Sequence, residues 1–117
     1  MSRHTPWGYS DSQEQIRPGI IFYSTPSHGG YHVSAALNRT MPDSLRLDGG
    51  WYEEDCDWAR VVVAFPLHFP PETVEEAKAT LRAWCPRAYE RFYGVTLNPG
   101  ESYMLDHHPD GFGRGLQ

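Results

Sequence analysis

The stretch that most constrains the fold is an apolar run followed at once by a glycine-containing turn. Residues 20–24 (Ile-Ile-Phe-Tyr-Ser) are rich in β-branched and aromatic side chains, which favours a strand, and Pro26 ends it. Residues 27–30 (Ser-His-Gly-Gly) have the composition of a turn, and residues 31–33 can form a second strand. The spacing therefore predicts a hairpin that pairs residues 20–24 with residues 30–33.

Two helical segments are predicted after this hairpin. Ser34 can cap a short helix over residues 35–39, because its hydroxyl can accept a hydrogen bond from a free amide in the first turn. Apolar residues recur at helical spacing over residues 51–65, which predicts a longer helix there. Residues 60–65 (Arg-Val-Val-Val-Ala-Phe) suit a strand equally well, so both structures stay open for that run.

The second half of the chain has clearer helical patterns. Residues 72–84 place apolar side chains on one face and charged ones on the other, and Thr73 with Glu76 has the spacing of a capping box. Residues 86–93 predict another helix, with a proline in its first turn and Gly94 directly after its end.

Both ends of the chain are predicted to be less regular. Residues 1–18 are polar and interrupted by proline and glycine, so we expect an irregular arm pinned by Trp7. Residues 95–97 can form a last short strand. Together these patterns predict an α+β fold, a small antiparallel sheet packed against about three helices. We expect a single domain over residues 1–105 and a flexible tail over residues 106–117.

The charge balance restricts the classes of partner. The chain has 117 residues and a formal net charge of -5, with 15 acidic against 10 basic residues. Direct binding to nucleic-acid phosphates is therefore not expected, whereas docking on a basic protein surface is compatible with this charge. No secretory signal and no apolar run of about 20 residues is visible, so we expect a cytoplasmic protein that does not bind membranes.

An acidic and aromatic cluster occupies residues 48–58. Its acids are Asp48, Glu53, Glu54, Asp55 and Asp57, its aromatic residues are Trp51, Tyr52 and Trp58, and it contains no Lys or Arg. One interpretation is a helix N-terminus, with acids that complement the helix dipole and aromatic side chains in the core. The other is a patch that docks on a basic protein surface, since aromatic anchors ringed by charge are typical of interface hot spots.

Two histidines near the predicted turn indicate a different class of protein, a small enzyme. His28 and His32 are four residues apart, and a hairpin can bring them together with Ser27 or an acid. Ser24-Thr25 and His28-Gly29 resemble two-residue elements of NAD-binding ADP-ribosyl transferases, and with a metal the same histidines would suit a metal-dependent hydrolase. The competing interpretation is that both histidines bond to backbone in a turn. We expect no catalytic residue, no metal and no cofactor.

Cys56 and Cys85 are the two cysteines of the chain, and both fall in segments predicted as helices. Acids precede Cys56, which raises the pKa of its thiol and weakens it as a nucleophile. We expect two free thiols, and a disulfide between them stays an open alternative.

Four sequence words carry a resemblance to a known family. They are Thr5-Pro6-Trp7-Gly8, Gly19-Ile20, Tyr23-Ser24-Thr25-Pro26-Ser27-His28-Gly29-Gly30 and Gly50-Trp51-Tyr52-Glu53-Glu54-Asp55-Cys56-Asp57-Trp58-Ala59. Over about residues 5–93 the chain resembles a small domain of unknown function carried on bacterial phages, plasmids and integrated elements. This resemblance implies a genomic setting near antirestriction genes, and by that context the chain is similar to anti-defence inhibitors, including anti-CRISPR proteins.

We therefore expect a non-enzymatic inhibitor from a mobile element that binds a host defence complex, above all a CRISPR effector. The small enzyme that uses His28 or His32 is the alternative. The candidate binding residues are Asp48, Trp51, Glu53, Glu54, Asp55 and Asp57, together with His28 and His32.

Overall fold

Six strands and five α-helices form the part of the chain that the computed structural model describes, residues 3–107. The strands are β1 (His4–Thr5), β2 (Gly8–Tyr9), β3 (Ser12–Arg17), β4 (Ile20–Ser24), β5 (Gly29–Val33) and β6 (Trp51–Glu53). The helices are α1 (Ala35–Thr40), α2 (Trp58–Ala64), α3 (Pro71–Trp84), α4 (Pro86–Tyr93) and α5 (Tyr103–His107), and a 3-10 turn lies at Pro66–His68. A two-stranded hairpin β1-β2 and a four-stranded antiparallel sheet β3-β4-β5-β6 confirm the predicted α+β class.

The hairpin predicted around the glycine turn is confirmed. Strands β4 and β5 pair antiparallel, with Ile20 opposite Val33 and Ser24 opposite Gly29. The connecting turn is closed by Thr25, whose hydroxyl donates to the carbonyl of His28 at 2.7 Å and accepts from its amide at 3.0 Å. Both glycines of the turn motif lie inside β5, so the strand begins one residue earlier than predicted.

The prediction of an irregular arm over residues 1–18 is wrong. Strand β3 pairs along β4 at the edge of the sheet, with Ser12 opposite Ser24 and a bulge after Gln15. Its side chains are mostly exposed, and all except Ile16, which packs against the core, are polar. Because the strand has a single apolar residue and is defined mainly by backbone pairing, no alternation of apolar and polar residues marks it in the sequence.

The prediction of one helix over residues 51–65 is wrong in its first half. Strand β6 pairs with β5, with Trp51 opposite His32 and Glu53 opposite Gly30, and helix α2 begins only at Trp58. The run 60–65 continues α2 to Ala64 and is not a strand. Most of the acids therefore precede the helix, and Asp57, at its N-cap, makes no capping hydrogen bond.

The predicted helices elsewhere are confirmed, with one correction. Ser34 caps α1, since its hydroxyl accepts from the amide of Leu37 at 3.3 Å. Helix α3 does not use the capping box of Thr73 and Glu76, because it begins earlier, after Pro70, without a side-chain cap. Gly94 follows α4 in the left-handed conformation, as expected for a residue that ends a helix.

Two predictions concern the residues near the C-terminus. Residues 95–97 do not form a strand, because the amides of Val95 and Leu97 bond instead to the backbone and carboxylate oxygens of Glu90. Asp106 and His107, the start of the predicted tail, belong to α5. The rest of that tail, residues 108–117, lies outside the described residues.

The core lies where helix α2 packs between the sheet and helix α3. Ile20 and Val33 from the hairpin, Val61 and Val62 from α2, and Leu81 from α3 are fully or almost fully buried there. Burial of such side chains is the main favourable contribution to folding. No helix within residues 3–107 has the length and apolar character needed to cross a membrane.

Candidate functional site

One face of the sheet, opposite the core, carries a continuous set of aromatic side chains. Registers place Tyr23, Gly30 and Glu53 directly across from one another, and Ile21, His32 and Trp51 form the neighbouring row. Side chains at these positions share a face because strand residues alternate with a period of two. The side chains on the other face of the sheet, including that of Tyr52, point into the core.

The hairpin β1-β2 places Trp7 on this face. In its turn the Thr5 hydroxyl donates to the carbonyl of Gly8 at 2.7 Å and accepts from the amide of Trp7 at 3.1 Å. Thr5 itself is buried, which fixes the turn against the rest of the fold. The sequence Thr-x-Trp-Gly thus forms a turn that places the indole ring of Trp7 on the sheet.

Gly30 provides the space into which Trp7 packs. A Cβ atom at this position would lie 2.5 Å from Cη2 of Trp7 and 2.4 Å from the backbone carbonyl oxygen of Tyr52. Neither contact is sterically possible, so a residue without a side chain is required in the middle of the strand. Gly30 therefore serves close packing on the sheet, although its sequence context is typical of a turn.

Trp51 is the centre of the aromatic cluster. The ring centroid of Trp7 lies 5.7 Å from that of Trp51 in an edge-on arrangement, and the imidazole of His32 lies at 4.4 Å. The guanidinium carbon of Arg3 is 5.4 Å from the Trp51 ring and 5.6 Å from the Tyr23 ring. Cations favour such positions because the faces of aromatic rings carry negative potential.

Burial against this cluster lowers the pKa of His32, and the positive charge of Arg3 lowers it further. The neutral imidazole is therefore favoured in the folded protein. A neutral ring packs on Trp51 as an aromatic partner without the cost of burying a charge.

An open cleft of about 270 Å³ lies beside the two indoles. We call it the indole cleft, and its lining residues are Pro6, Trp7, Leu47, Asp48, Trp51, Glu53 and Asp57. Two of these are the tryptophans in edge contact, and three are carboxylates. Of the described residues that line the cleft, none is Lys or Arg. The cleft therefore combines aromatic walls with negative charge.

The structure brings together four of the residues predicted as a binding site. Asp48, Trp51, Glu53 and Asp57 all line the indole cleft, although they come from a loop, a strand and a helix cap. Trp7 was expected only as an anchor for the N-terminal arm. Its role as a cleft wall could not be inferred from the sequence, because the long-range packing on Gly30 carries no local signature.

Asp57 has a counter-ion on the inside of the fold. Its Oδ1 lies 3.6 Å from Nε of Arg60, a side chain that is 6% exposed. Nη1 of Arg60 also donates to the carbonyls of Ser44 and Leu45, each at 3.3 Å. Asp57 is thus a fixed wall of the cleft, whereas Asp48 is an exposed residue at its rim.

Glu54 and Asp55 lie outside the indole cleft. Both are exposed, and they occupy the turn that connects β6 to α2. The backbone amide of Glu54 donates to the carbonyl of Gly29 at 2.9 Å, which continues the pairing of β5 with β6. The predicted acidic patch is therefore divided between a set that lines the cleft and a set that faces solvent beyond it.

The two histidines do not come together. His28 is exposed in the turn before β5, and His32 lies toward the other end of that strand, which separates them by about 13 Å of extended chain. His32 lines a neighbouring cleft of about 320 Å³ together with Asn38 and Arg39. Within residues 3–107 the imidazole of His28 has no hydrogen-bond or ring partner.

The prediction that Cys56 and Cys85 lie within helices is wrong. Cys56 is in the turn before α2 and Cys85 is between α3 and α4, and both are free thiols. Their sulfur atoms and a carboxylate oxygen of Asp57 all lie within 4.8 Å of one another. A metal-ligand set of two thiols and one carboxylate is thus present geometrically, with the Arg60 guanidinium next to it.

Comparison with known proteins identifies the family. The family described as a domain of unknown function, DUF7007, matches residues 1–109, so the chain belongs to it. No curated protein and no solved structure matches the chain.

Proposed function

We propose that this DUF7007 member is a non-enzymatic binding protein that holds a basic side chain of a partner protein in the indole cleft. The observation that carries the proposal is the joint lining of one cleft by Trp7, Trp51 and three carboxylates. Aromatic faces and carboxylates both attract a Lys or Arg side chain, and their effects add when they surround the same space.

The size of the cleft supports a side chain as its occupant. Its volume of about 270 Å³ is slightly below the roughly 300–1,000 Å³ of pockets that enclose whole small-molecule ligands. Its carboxylates repel phosphate, which disfavours a nucleic acid or a nucleotide. An arginine that protrudes from a protein surface suits the space and the charge, and it can stack on one indole while it pairs with a carboxylate.

We propose a bacterial defence complex as the partner, with a CRISPR effector as the first candidate. The support for this part is the resemblance of the sequence words to a domain carried on phages and other mobile elements. Complexes of this kind hold nucleic acid in channels lined by Lys and Arg, and an acidic protein can occupy such a channel through complementary charge. Such an encounter would take place in the bacterial cytoplasm.

A pull-down with the tagged protein tests the proposal. The bait is incubated with a lysate of a host that carries CRISPR and restriction systems, at low and at high salt. We expect stoichiometric recovery of a defence subunit, weakened at high salt because the contacts are electrostatic. An empty pull-down from folded protein contradicts the proposal. It would shift attention to the enzyme alternative, for which His28→Ala and His32→Ala assays with NAD and metals are the next step.

Two matched charge reversals separate the cleft from the rest of the acidic patch. Asp48→Lys and Asp55→Lys make the same change at exposed aspartates, but only Asp48 lines the cleft. We expect D48K to weaken partner binding at least tenfold, and D55K to change it less than threefold, measured by titration with the recovered subunit. Equal losses would show that overall charge, and not the cleft, governs binding.

A further inference from the structure

The two cysteines of the chain are far apart in sequence but meet inside the fold. Their sulfur atoms lie within 4.8 Å of each other. Cys85 is 2% exposed, whereas Cys56 is only partly buried. A small reagent can therefore approach from the side of Cys56, while Cys85 stays shielded from larger molecules.

We propose that Cys56 and Cys85 are a redox-active pair that closes into an intramolecular disulfide when the protein meets a peroxide. In the first step the Cys85 thiolate attacks one oxygen of hydrogen peroxide, which gives a sulfenic acid and releases hydroxide. In the second step the Cys56 sulfur attacks the sulfenic sulfur. An S–S bond forms, the S–O bond breaks, and the Cys56 proton leaves with the oxygen as water. The two thiols lose two electrons, which reduce one peroxide.

The surroundings assign different roles to the two sulfurs. The interaction with Cys56 and the positive charge of Arg60 together lower the pKa of Cys85 to about 7, against burial and the charge of Asp57, which raise it. The same interaction, together with burial and the acids beside it, raises the pKa of Cys56. Cys85 is thus the thiolate that attacks the peroxide. Its own negative charge contributes to the raised pKa of Cys56, so oxidation of Cys85 removes that effect and makes Cys56 a better nucleophile for the second step, in which its proton passes to the departing oxygen.

The position of Arg60 favours a redox pair over a metal site. Its Nε lies 3.6 Å from Oδ1 of Asp57, and its positive charge lowers the pKa of Cys85, so a cation already acts on two of the three candidate ligands. A divalent metal held by the same atoms would sit within a few ångströms of this buried positive charge. The guanidinium instead stabilises a single thiolate, which is what the first oxidation step requires.

Peptide mapping after peroxide treatment tests this inference, which does not depend on the proposed binding function. The full chain is reduced, freed of reductant, treated with hydrogen peroxide and digested without reduction. We expect one linked peptide pair that contains Cys56 and Cys85, and its reversal by dithiothreitol. The oxidised protein should also melt about 10 °C higher, because the new bond restricts the unfolded chain.

The variant Cys56→Ser provides the matched control. It retains the attacking sulfur but lacks the resolving one, so we expect no linked peptides and a sulfenic acid on Cys85, which dimedone traps when the protein is unfolded in its presence. Sulfinic acid on Cys85 of the wild type, disulfides between molecules, or inert thiols would each overturn the proposal. So would zinc that co-purifies at one ion per chain and protects both thiols from alkylation, since that result assigns the cluster to a metal. The wild-type mapping is decisive even if the variant fails to fold.

Discussion

At the scale of single residues, Gly30 controls how the site is assembled. The ring of Trp7 and the backbone of Tyr52 both occupy the space in which a Cβ atom at Gly30 would lie. One missing methyl group thus lets the N-terminal hairpin lie on the sheet and complete the indole cleft. The words Thr-x-Trp-Gly and His-Gly-Gly, distant in sequence, meet at this contact.

A double-mutant cycle measures this contact. We expect Gly30→Ala to lower the free energy of unfolding by roughly 1–3 kcal/mol, because the added methyl group overpacks a filled space. In a Trp7→Ala background the same change should cost at least about 0.5 kcal/mol less, since one of the two clashes is gone. Urea unfolding gives both values. Strictly additive costs would contradict the packing of Trp7 on Gly30.

The lowered pKa of His32 predicts a pH dependence of stability. Because the folded state lowers this pKa, the unfolded chain takes up the proton at a higher pH, near its ordinary value of about 6.5. The full stability is present above that pH and falls as the pH drops through it toward the folded pKa. We expect His32→Gln to flatten this part of the stability curve. A curve for H32Q that matches the wild type would refute the assignment.

At the scale of elements, the sequence predicts those that are defined locally and fails for those defined by a partner. The β4-β5 hairpin, the Ser34 cap of α1 and the helices α3 and α4 follow from spacing, caps and breakers within a few residues. Strand β6 was predicted as helix because its three residues continue the apolar spacing of α2. Only pairing with β5 makes them a strand, and that contact spans the loop that follows α1.

The candidate site also combines residues that are clustered in the sequence with a residue that only the fold brings to it. The acids and Trp51 form one cluster along the sequence, so their membership in a site could be predicted. Trp7 joins the cleft only because the N-terminal hairpin packs on the sheet. Glu54 and Asp55 lie outside the cleft, in the turn after β6. Composition identifies the kind of surface, whereas the pairing of strands decides which members of the cluster share a cleft.

Tyr52 connects strand β6 to helix α1 and to the loop that follows it. Its hydroxyl donates to Oδ1 of Asn38 at 2.5 Å and accepts from the amide of Leu47 at 2.9 Å, in a fully buried position. We expect Tyr52→Phe to cost about 1–3 kcal/mol, because it leaves these buried groups without a partner. Tyr9→Phe, at a residue that is 68% exposed, should change stability by less than about 0.5 kcal/mol in the same unfolding assay. Equal costs would show that the buried network contributes nothing.

At the scale of the whole molecule, the fold places the indole cleft and the pair of thiols in different parts of the structure. The sheet carries the indole cleft on the face away from the core, and the helical layer encloses the two thiols. Asp57 belongs to both, because it lines the cleft and lies within 4.8 Å of the sulfurs. The net charge of -5 gives the molecule a field that favours the approach of basic surfaces, and in the proposed function the cleft supplies the specific contact.

The most direct test of the central claim uses the indole N–H signals of the four tryptophans. A short arginine-containing peptide is titrated into ¹⁵N-labelled protein. We predict saturable shifts of the Trp7 and Trp51 signals that weaken with salt, and little change at Trp58 or at Trp84, which is 43% exposed outside the cleft. Shifts at Trp84 alone, equal shifts at all four signals, or none at Trp7 and Trp51 would contradict the account.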